Sequence, residues 1–354
     1  MTTFTEAKLA QAQYMQATAT KSEIVSVGIG YLDPYDHSKG AALVVYTKKG
    51  LPQEQVAALN EFVTVQIRGN QVQVPIRIEE SGDFFANIAA PKEISALTAD
   101  PEYNKRLRPL VAGYSVGTTN ASGTTGLIVI KNNALYILSN NHVLNLNNSN
   151  GFSATLQPGA ADSGTDPADR IGRLYQFVKL KATGNTQDSA IAEPTSQNSL
   201  DPRYGRNKIT VPGHYLQFGT GVKVIKAGRT TGDTEAVIDS INNQTTTVNY
   251  GSYGGLGSIM FDNCVIIKGA NASKSGDSGS VWLNKDDNYA MAVNFAGPAD
   301  GSYSIAFPIN WAMQTYGLSV AMLNATGVTK VMTASEEAAL TLESSDYPVR
   351  AAEE

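Results

Sequence analysis

Six consecutive small or polar residues, Ser275-Gly276-Asp277-Ser278-Gly279-Ser280, set a hydroxyl between two glycines. Glycine has no Cβ, so the backbone there reaches dihedrals closed to other residues and aims its N–H groups at a common point. Such N–H groups stabilise an oxygen that gathers charge in a transition state, one donor being worth roughly 10²–10³ in rate. A serine hydroxyl is nevertheless a poor nucleophile at neutral pH. It needs a base to take its proton and a buried carboxylate to hold that base in one tautomer. Glycine-serine turns are common in a chain with 32 glycines, so the loop alone does not establish catalysis.

Three histidines are available as the base, His37, His142 and His214. His37 lies in the turn Asp36-His37-Ser38-Lys39 and is expected to face solvent. His142 follows the apolar run Leu135 to Leu138 through Ser139-Asn140-Asn141, where a strand ends and a side chain projects into a cleft. His214 would reverse the order to Asp, His, Ser, an arrangement of α/β scaffolds, and no helices alternate with strands around it. His142 is therefore preferred. A single histidine is more often a surface or core residue than a base, so the carboxylate has to be sought too. Asp188 opens Asp188-Ser189-Ala190-Ile191-Ala192, where small apolar neighbours would bury it. Asp162, Asp166 and Asp169 sit in a Gly/Pro-rich loop and are expected to be solvated, while Asp233 and Asp239 follow a glycine turn and read as structural. Asp277, next to Ser278, cannot reach round to an imidazole and is expected to brace its own loop.

The elements that would position these groups change character along the 354 residues. Residues 1–22 read as a helix or tail of weak amphipathicity. Residues 23–90 mix strands near Ile24 to Gly30, Ala41 to Tyr46, Val63 to Ile67 and Val72 to Ile78 with a helix near Leu51 to Asn60, a small α+β domain. A linker spans 91–112, marked by Pro91, Pro101 and Pro109. From 113 short strands are broken by Gly, Asn and Ser at close intervals, the pattern of an all-β sandwich or barrel. That stretch is too long for one sandwich and suits two barrels, 113–205 and 206–330, with a helix closing the second near Pro308 to Tyr316. Residues 331–354 form an acidic tail expected to be mobile.

In that order and spacing, Ser139-Asn140-Asn141-His142-Val143-Leu144, Asp188-Ser189-Ala190-Ile191-Ala192 and Gly276-Asp277-Ser278-Gly279-Ser280 resemble the motifs of the chymotrypsin/trypsin-like serine proteases. Tyr136 to Leu144, Leu156-Gln157-Pro158-Gly159 and Gly228-Arg229-Thr230-Thr231-Gly232 resemble a cysteine-poor bacterial branch related to the plant narrow-leaf trypsin-like peptidase. The resemblance spans most of 24 to 320. It implies a mainly β chain of two six-stranded barrels beside the small α+β domain. It also implies peptide hydrolysis through an acyl-enzyme, with Ser278 as nucleophile, His142 as base and Asp188 as its orienting acid. The N–H groups of Gly276 and Ser278 would form the oxyanion hole. Phe295-Ala296-Gly297 resembles the strand that pairs with substrate backbone, and Ser304 would line the opposite pocket wall. Where trypsin selects basic side chains with an acid, this chain has Ala272, so an apolar or small substrate side chain is expected.

Departures from the digestive members matter as much. One cysteine, Cys264, excludes an intrachain disulfide, reads as buried in a strand and suits a reducing compartment. No sequence resembles the Ile-Val-Gly-Gly activation terminus, so activation by N-terminal cleavage is not expected. The start of the chain lacks the apolar block of a secretory signal and no stretch approaches 18 apolar residues, giving a cytoplasmic expectation and no membrane partner. Net charge of −5 without a basic run argues against nucleic acid. No metal-ligand spacing, dinucleotide fingerprint or phosphate loop is complete, so no cofactor or metal is expected. The partner implied is a protein or peptide substrate. A protease without a zymogen terminus needs restraint, from the N-terminal domain, homo-oligomer assembly or the acidic tail. The competing reading is a catalytically weak protease-like module that binds extended peptides or assembles with partners.

Overall fold

The computed structural model describes residues 1–59, 61–67, 69–87 and 100–332. Part of the expected linker and the acidic tail from 333 lie outside the described residues. The second barrel is closed: strands Lys223–Gly228, Gly232–Gln244, Cys264–Lys268, Tyr303–Pro308, Ala290–Gly297 and Val281–Asn284 pair antiparallel in a complete ring. The first is a half-barrel. Its strands run Leu127–Lys131, Ala134–Ser139, Ala190–Pro194, Arg170–Phe177, Ala154–Leu156 and Ser115–Gly117, and no strand pairing among the described residues joins the two ends. The mainly β double-barrel class holds, with the first barrel less complete than the six-stranded expectation.

Helix Ile309–Tyr316 closes the second barrel where the Pro308 to Tyr316 segment suggests, and Gly317 ends it at φ 65°. A left-handed residue at that position costs glycine little. The chain then crosses to the first barrel, where Ser319–Met322 pairs with Leu127–Lys131. One apolar core runs through both barrels and includes Cys264, whose thiol burial pushes well above its usual range. That thiol is core, not a nucleophile.

The N-terminal helix, Phe4–Thr18, starts with a capping box between Thr3 and Glu6. Its buried residues Ala7, Ala10, Gln11, Tyr14 and Thr18 recur at helical spacing. They cover Val27, Ile29, Leu43, Val45, Val63, Val65 and Val74 of the strands that follow. Because that stripe is made of alanine, tyrosine and polar groups, its hydrophobic signal is weak while its packing is close. Strand Ile24–Tyr31 pairs on one side with Ala41–Thr47 and on the other with Gly232–Gln244 of the second barrel. The N-terminal sheet is thus continuous with the barrel. Gly28 and Gly30 owe their small size to this seam: a Cβ would meet the Asn243 side chain and the Asp239 carbonyl. Charge pairs fasten the same seam, with Arg77 donating to buried Asp239 at 3.0 Å and the partly exposed Lys268 to Glu79 at 2.8 Å.

Candidate active site

Strand Ala134–Ser139 runs directly into a single helical turn, Asn141–Leu144, which places His142 at the strand's end and on the wall of a cleft of about 860 Å³. Asp188 lies just before strand Ala190–Pro194, which pairs with Ala134–Ser139. The two residues, 46 positions apart, therefore meet through one ladder. Asn140 secures the junction by donating its amide to the Asp188 carbonyl at 2.7 Å.

The Asp188 carboxylate is fully buried and accepts four hydrogen bonds. Backbone N–H groups of Asn141 and His142 reach Oδ1 at 2.7 and 3.3 Å, while Oδ2 is shared by His142 Nδ1 and by the Tyr250 hydroxyl at 2.6 Å. Burial, followed by the Asp188 charge, pushes the Tyr250 phenol well above its usual range, so it stays a donor. The rings of Tyr250 and Tyr253 stand edge-on to the imidazole at 5.5 and 6.3 Å. Both come from the loop after strand Thr246–Asn249 in the second barrel. His142 Nε2 is left without a hydrogen-bond partner.

Around Ser278 the backbone needs its glycines. Gly276 and Gly279 have φ of 98° and 90°, and a Cβ on either would collide with Thr230 Oγ1 or Ser139 Oγ. Asp277 braces this loop. Its carboxylate accepts the Thr230, Thr231 and Lys274 backbone N–H groups at 2.9, 3.1 and 2.9 Å and the Thr231 hydroxyl at 2.8 Å. Lys226 is its basic partner, with Nζ 3.6 Å from the carboxylate and both side chains excluded from water. Burial lowers the Lys226 pKa and Asp277 opposes that shift. Ser278 Oγ donates to the Phe295 carbonyl at 3.1 Å.

Short strand Phe84–Ala86 lies between Thr246–Asn249 and Ala290–Gly297, with Ala86 opposite Ala296 and Phe85 opposite Gly297. Asn87 continues the pairing, its N–H donating to the Phe295 carbonyl at 3.2 Å. The Asn87 carbonyl in turn accepts the Gly276 N–H at 2.7 Å. Its side-chain amide donates to Ser273 Oγ.

The sequence model of the trypsin family matches residues 100–314. The chain belongs to the trypsin family. It is a trypsin-like serine peptidase, a hydrolase whose substrates are proteins or peptides. Solved structures similar to this peptidase include a glutamic acid-specific serine protease described as using a histidine triad in substrate binding, at 20% identity and a TM-score of 0.45 over 60% of this chain and 100% of that one. Thermobifida fusca protease A is similar at 20% identity and a TM-score of 0.41, over 60% and 98% of the two chains. Nocardiopsis protease is similar at 13% identity and a TM-score of 0.41 over the same shares. No curated protein matches in a sequence comparison.

Of the residues singled out from sequence, the peptidase brings His142 and Asp188 into direct contact. It places Phe295 and Ala296 on the strand beside Asn87, and Gly297 on the cleft wall. Ala272 lies in the second barrel's core, and the neighbouring Ser273 is the residue that meets Asn87. The Ser304 hydroxyl is committed inside the barrel, accepting from Trp282 Nε1 at 2.9 Å and donating to Asn294 at 2.8 Å. His214 pairs with Asn310 at 3.2 Å, and the exposed His37 stacks on Tyr31. Asp162, expected to be solvated, forms a buried ion pair with Arg229, and Asp239 is likewise buried against Arg77. Two contributors escaped the sequence reading. Lys226 left a trace, a lysine in phase with apolar Val224 on one strand. Tyr250 sits in a Gly/Tyr-rich loop with no periodicity to reveal it.

Proposed function

We propose that the chain is a serine endopeptidase in which Ser278 attacks the scissile carbonyl, His142 takes and returns the proton, and Asp188 orients the imidazole. The observation that carries this reading is the His142 ring, held through Nδ1 by a saturated buried carboxylate with Nε2 left unpartnered in a ring that lines the cleft. An imidazole so oriented presents the lone pair a general base needs. Gly276 and Ser278 would supply the oxyanion hole, a role supported by the Gly276 N–H already donating to a carbonyl. The lone, buried Cys264 and the motifs around Tyr136 and Gly228 support a cysteine-poor bacterial branch acting in the reducing cytoplasm.

One observation favours a second reading, a module that holds extended peptide by strand addition and turns over little. Ser278 Oγ donates to the Phe295 carbonyl instead of to His142, and a strand of the chain itself fills the pairing edge. A fluorophosphonate probe separates the two. Labelling that maps to Ser278 supports the peptidase mechanism, and a folded sample that stays unlabelled supports the binding module.

A further inference from the structure

The Phe84–Asn87 segment is held as a peptide substrate would be held by the site just proposed. It pairs antiparallel with the C-terminal end of Ala290–Gly297, in a register that sets Asn87 N–H on the Phe295 carbonyl. Its last carbonyl points at the Gly276 N–H, the group that would stabilise an oxyanion. The Asn87 side chain is buried beside Gly297 and Ser273: a Cβ on Gly297 would lie 3.3 Å from the Asn87 amide nitrogen and 3.5 Å from Ser273 Cβ. The pocket is filled by a short amide bonded to a serine hydroxyl. Ala86 and Phe85 continue outward along the groove wall, and Phe84 is buried in the shared core. Four residues thus satisfy backbone pairing, side-chain pocket and carbonyl site together.

Chain order gives the arrangement a consequence. Asn87 and Ile88 precede the stretch matched to the trypsin family, which begins at residue 100. A cut between them would sever the N-terminal helix and strands from the matched unit while the sheet pairing of Ile24–Tyr31 with Gly232–Gln244 still held them. Such a cut is not needed to make an activating amine, because Lys226 already neutralises Asp277.

We infer that the chain cleaves its own Asn87–Ile88 bond, and that the groove selects extended peptides with asparagine before the scissile bond. The inference rests on the serine peptidase mechanism proposed above. Ser278 Oγ adds to the Asn87 carbonyl carbon as its proton passes to His142 Nε2. The C–N bond to Ile88 then breaks, and the proton on His142 goes to the Ile88 nitrogen, leaving Asn87 as an ester on Ser278. Water, deprotonated by His142, adds to that ester, returning the proton to Ser278 Oγ and releasing Asn87 as a free carboxylic acid.

Purified full-length wild type and Ser278→Ala are incubated over a range of protein concentrations and followed by intact mass and N-terminal sequencing, with fluorophosphonate labelling of parallel samples. Wild type is expected to give fragments 1–87 and 88–354 at a rate independent of concentration. The Ser278→Ala chain is expected to stay whole or be cut at least about 10³-fold more slowly. A wild type that is labelled at Ser278 yet remains uncut after Asn87 overturns this inference alone. A folded wild type that is neither labelled nor cut overturns the peptidase mechanism and this inference with it. Cleavage in Ser278→Ala at the wild-type rate, or a rate that rises in proportion to concentration, overturns self-cleavage within one chain. Acetyl-Phe-Phe-Ala-Asn and acetyl-Phe-Phe-Ala-Arg coumarin amides test the pocket, with at least about tenfold faster release from the asparagine peptide expected. Equal release overturns the asparagine preference.

Discussion

Two buried carboxylates stand on either side of the cleft, and they are balanced differently. Asp277, under the Ser278 loop, accepts four hydrogen bonds and faces the Lys226 side chain, a basic partner held at 3.6 Å in the core. Asp188 also accepts four, yet among the described residues its only basic neighbour is His142, which carries charge only when protonated. A carboxylate with a fixed counter-charge is a brace: its electrostatic state is the same before and during a reaction. One whose counter-charge appears only on proton transfer stabilises that transfer selectively, which is how binding energy becomes rate. Under the proposed mechanism, the same side chain would be structural on one side and poised on the other.

The comparison breaks most severely at the hydroxyl that would use both halves. Ser278→Ala keeps both carboxylates and their partners, and a fall in kcat of about 10⁶-fold is expected from steady-state kinetics on a peptide substrate. A loss of under tenfold would remove Ser278 from the mechanism. Asp188→Asn probes the poised side. An amide in that place favours the wrong imidazole tautomer, and kcat should fall about 10⁴-fold while the thermal midpoint moves little. If stability fell and rate did not, Asp188 would be a brace like Asp277.

How far these roles are readable from sequence follows the same division. Strands repeat every two residues and loops declare themselves by glycine, so the double-barrel texture and Ser278, His142 and Asp188 stand out in the chain. Lys226 and Tyr250 act through space, across turns whose geometry no local pattern encodes. Lys226 is hidden further because its charge is cancelled by a residue 51 positions away. Phe84–Ala86 is too short for alternation to register, and its importance comes from the two strands it lies between. The N-terminal helix reads as weakly amphipathic because alanine packs closely while scoring low as a hydrophobe. Ser304 and Ala272 stand out by resemblance alone, and it is the fold that shows their side chains packed inside the barrel.

Lys226→Met tests the brace. Removing one member of a buried pair leaves the other charge uncompensated, at a cost of about 3–5 kcal/mol. Denaturant unfolding should show that loss, and kcat should drop with it as the Gly276 and Ser278 N–H groups lose their fixed positions. Unchanged stability would mean that hydrogen bonds alone hold Asp277. Tyr250→Phe is milder. It deletes one hydrogen bond to the charged Asp188 and keeps the ring against His142, so about 1.5–3 kcal/mol is at stake. A decrease in kcat of about 10–100-fold is expected, with KM little changed.

A third carboxylate sets the lower limit of the comparison. Asp300 lies in the loop after strand Ala290–Gly297 and is paired with Lys49 of the N-terminal region, but both side chains are largely exposed, at 43% and 51%. Partial burial works against its ionisation, yet the Lys49 and Ser302 hydrogen bonds hold its pKa down to about 2. A folded-state value below the usual carboxylate range stabilises the fold at pH above about 4, and the contribution disappears as pH falls toward 2. Water and salt screen so exposed a pair, which limits it to about 1 kcal/mol or less. Lys49→Met should therefore lower stability slightly at pH 7, less in high salt, and not at all near pH 2. A salt-independent loss would show that Lys49 acts through packing of its alkyl stem, and the graded series from poised to braced to screened carboxylate would end at Asp277.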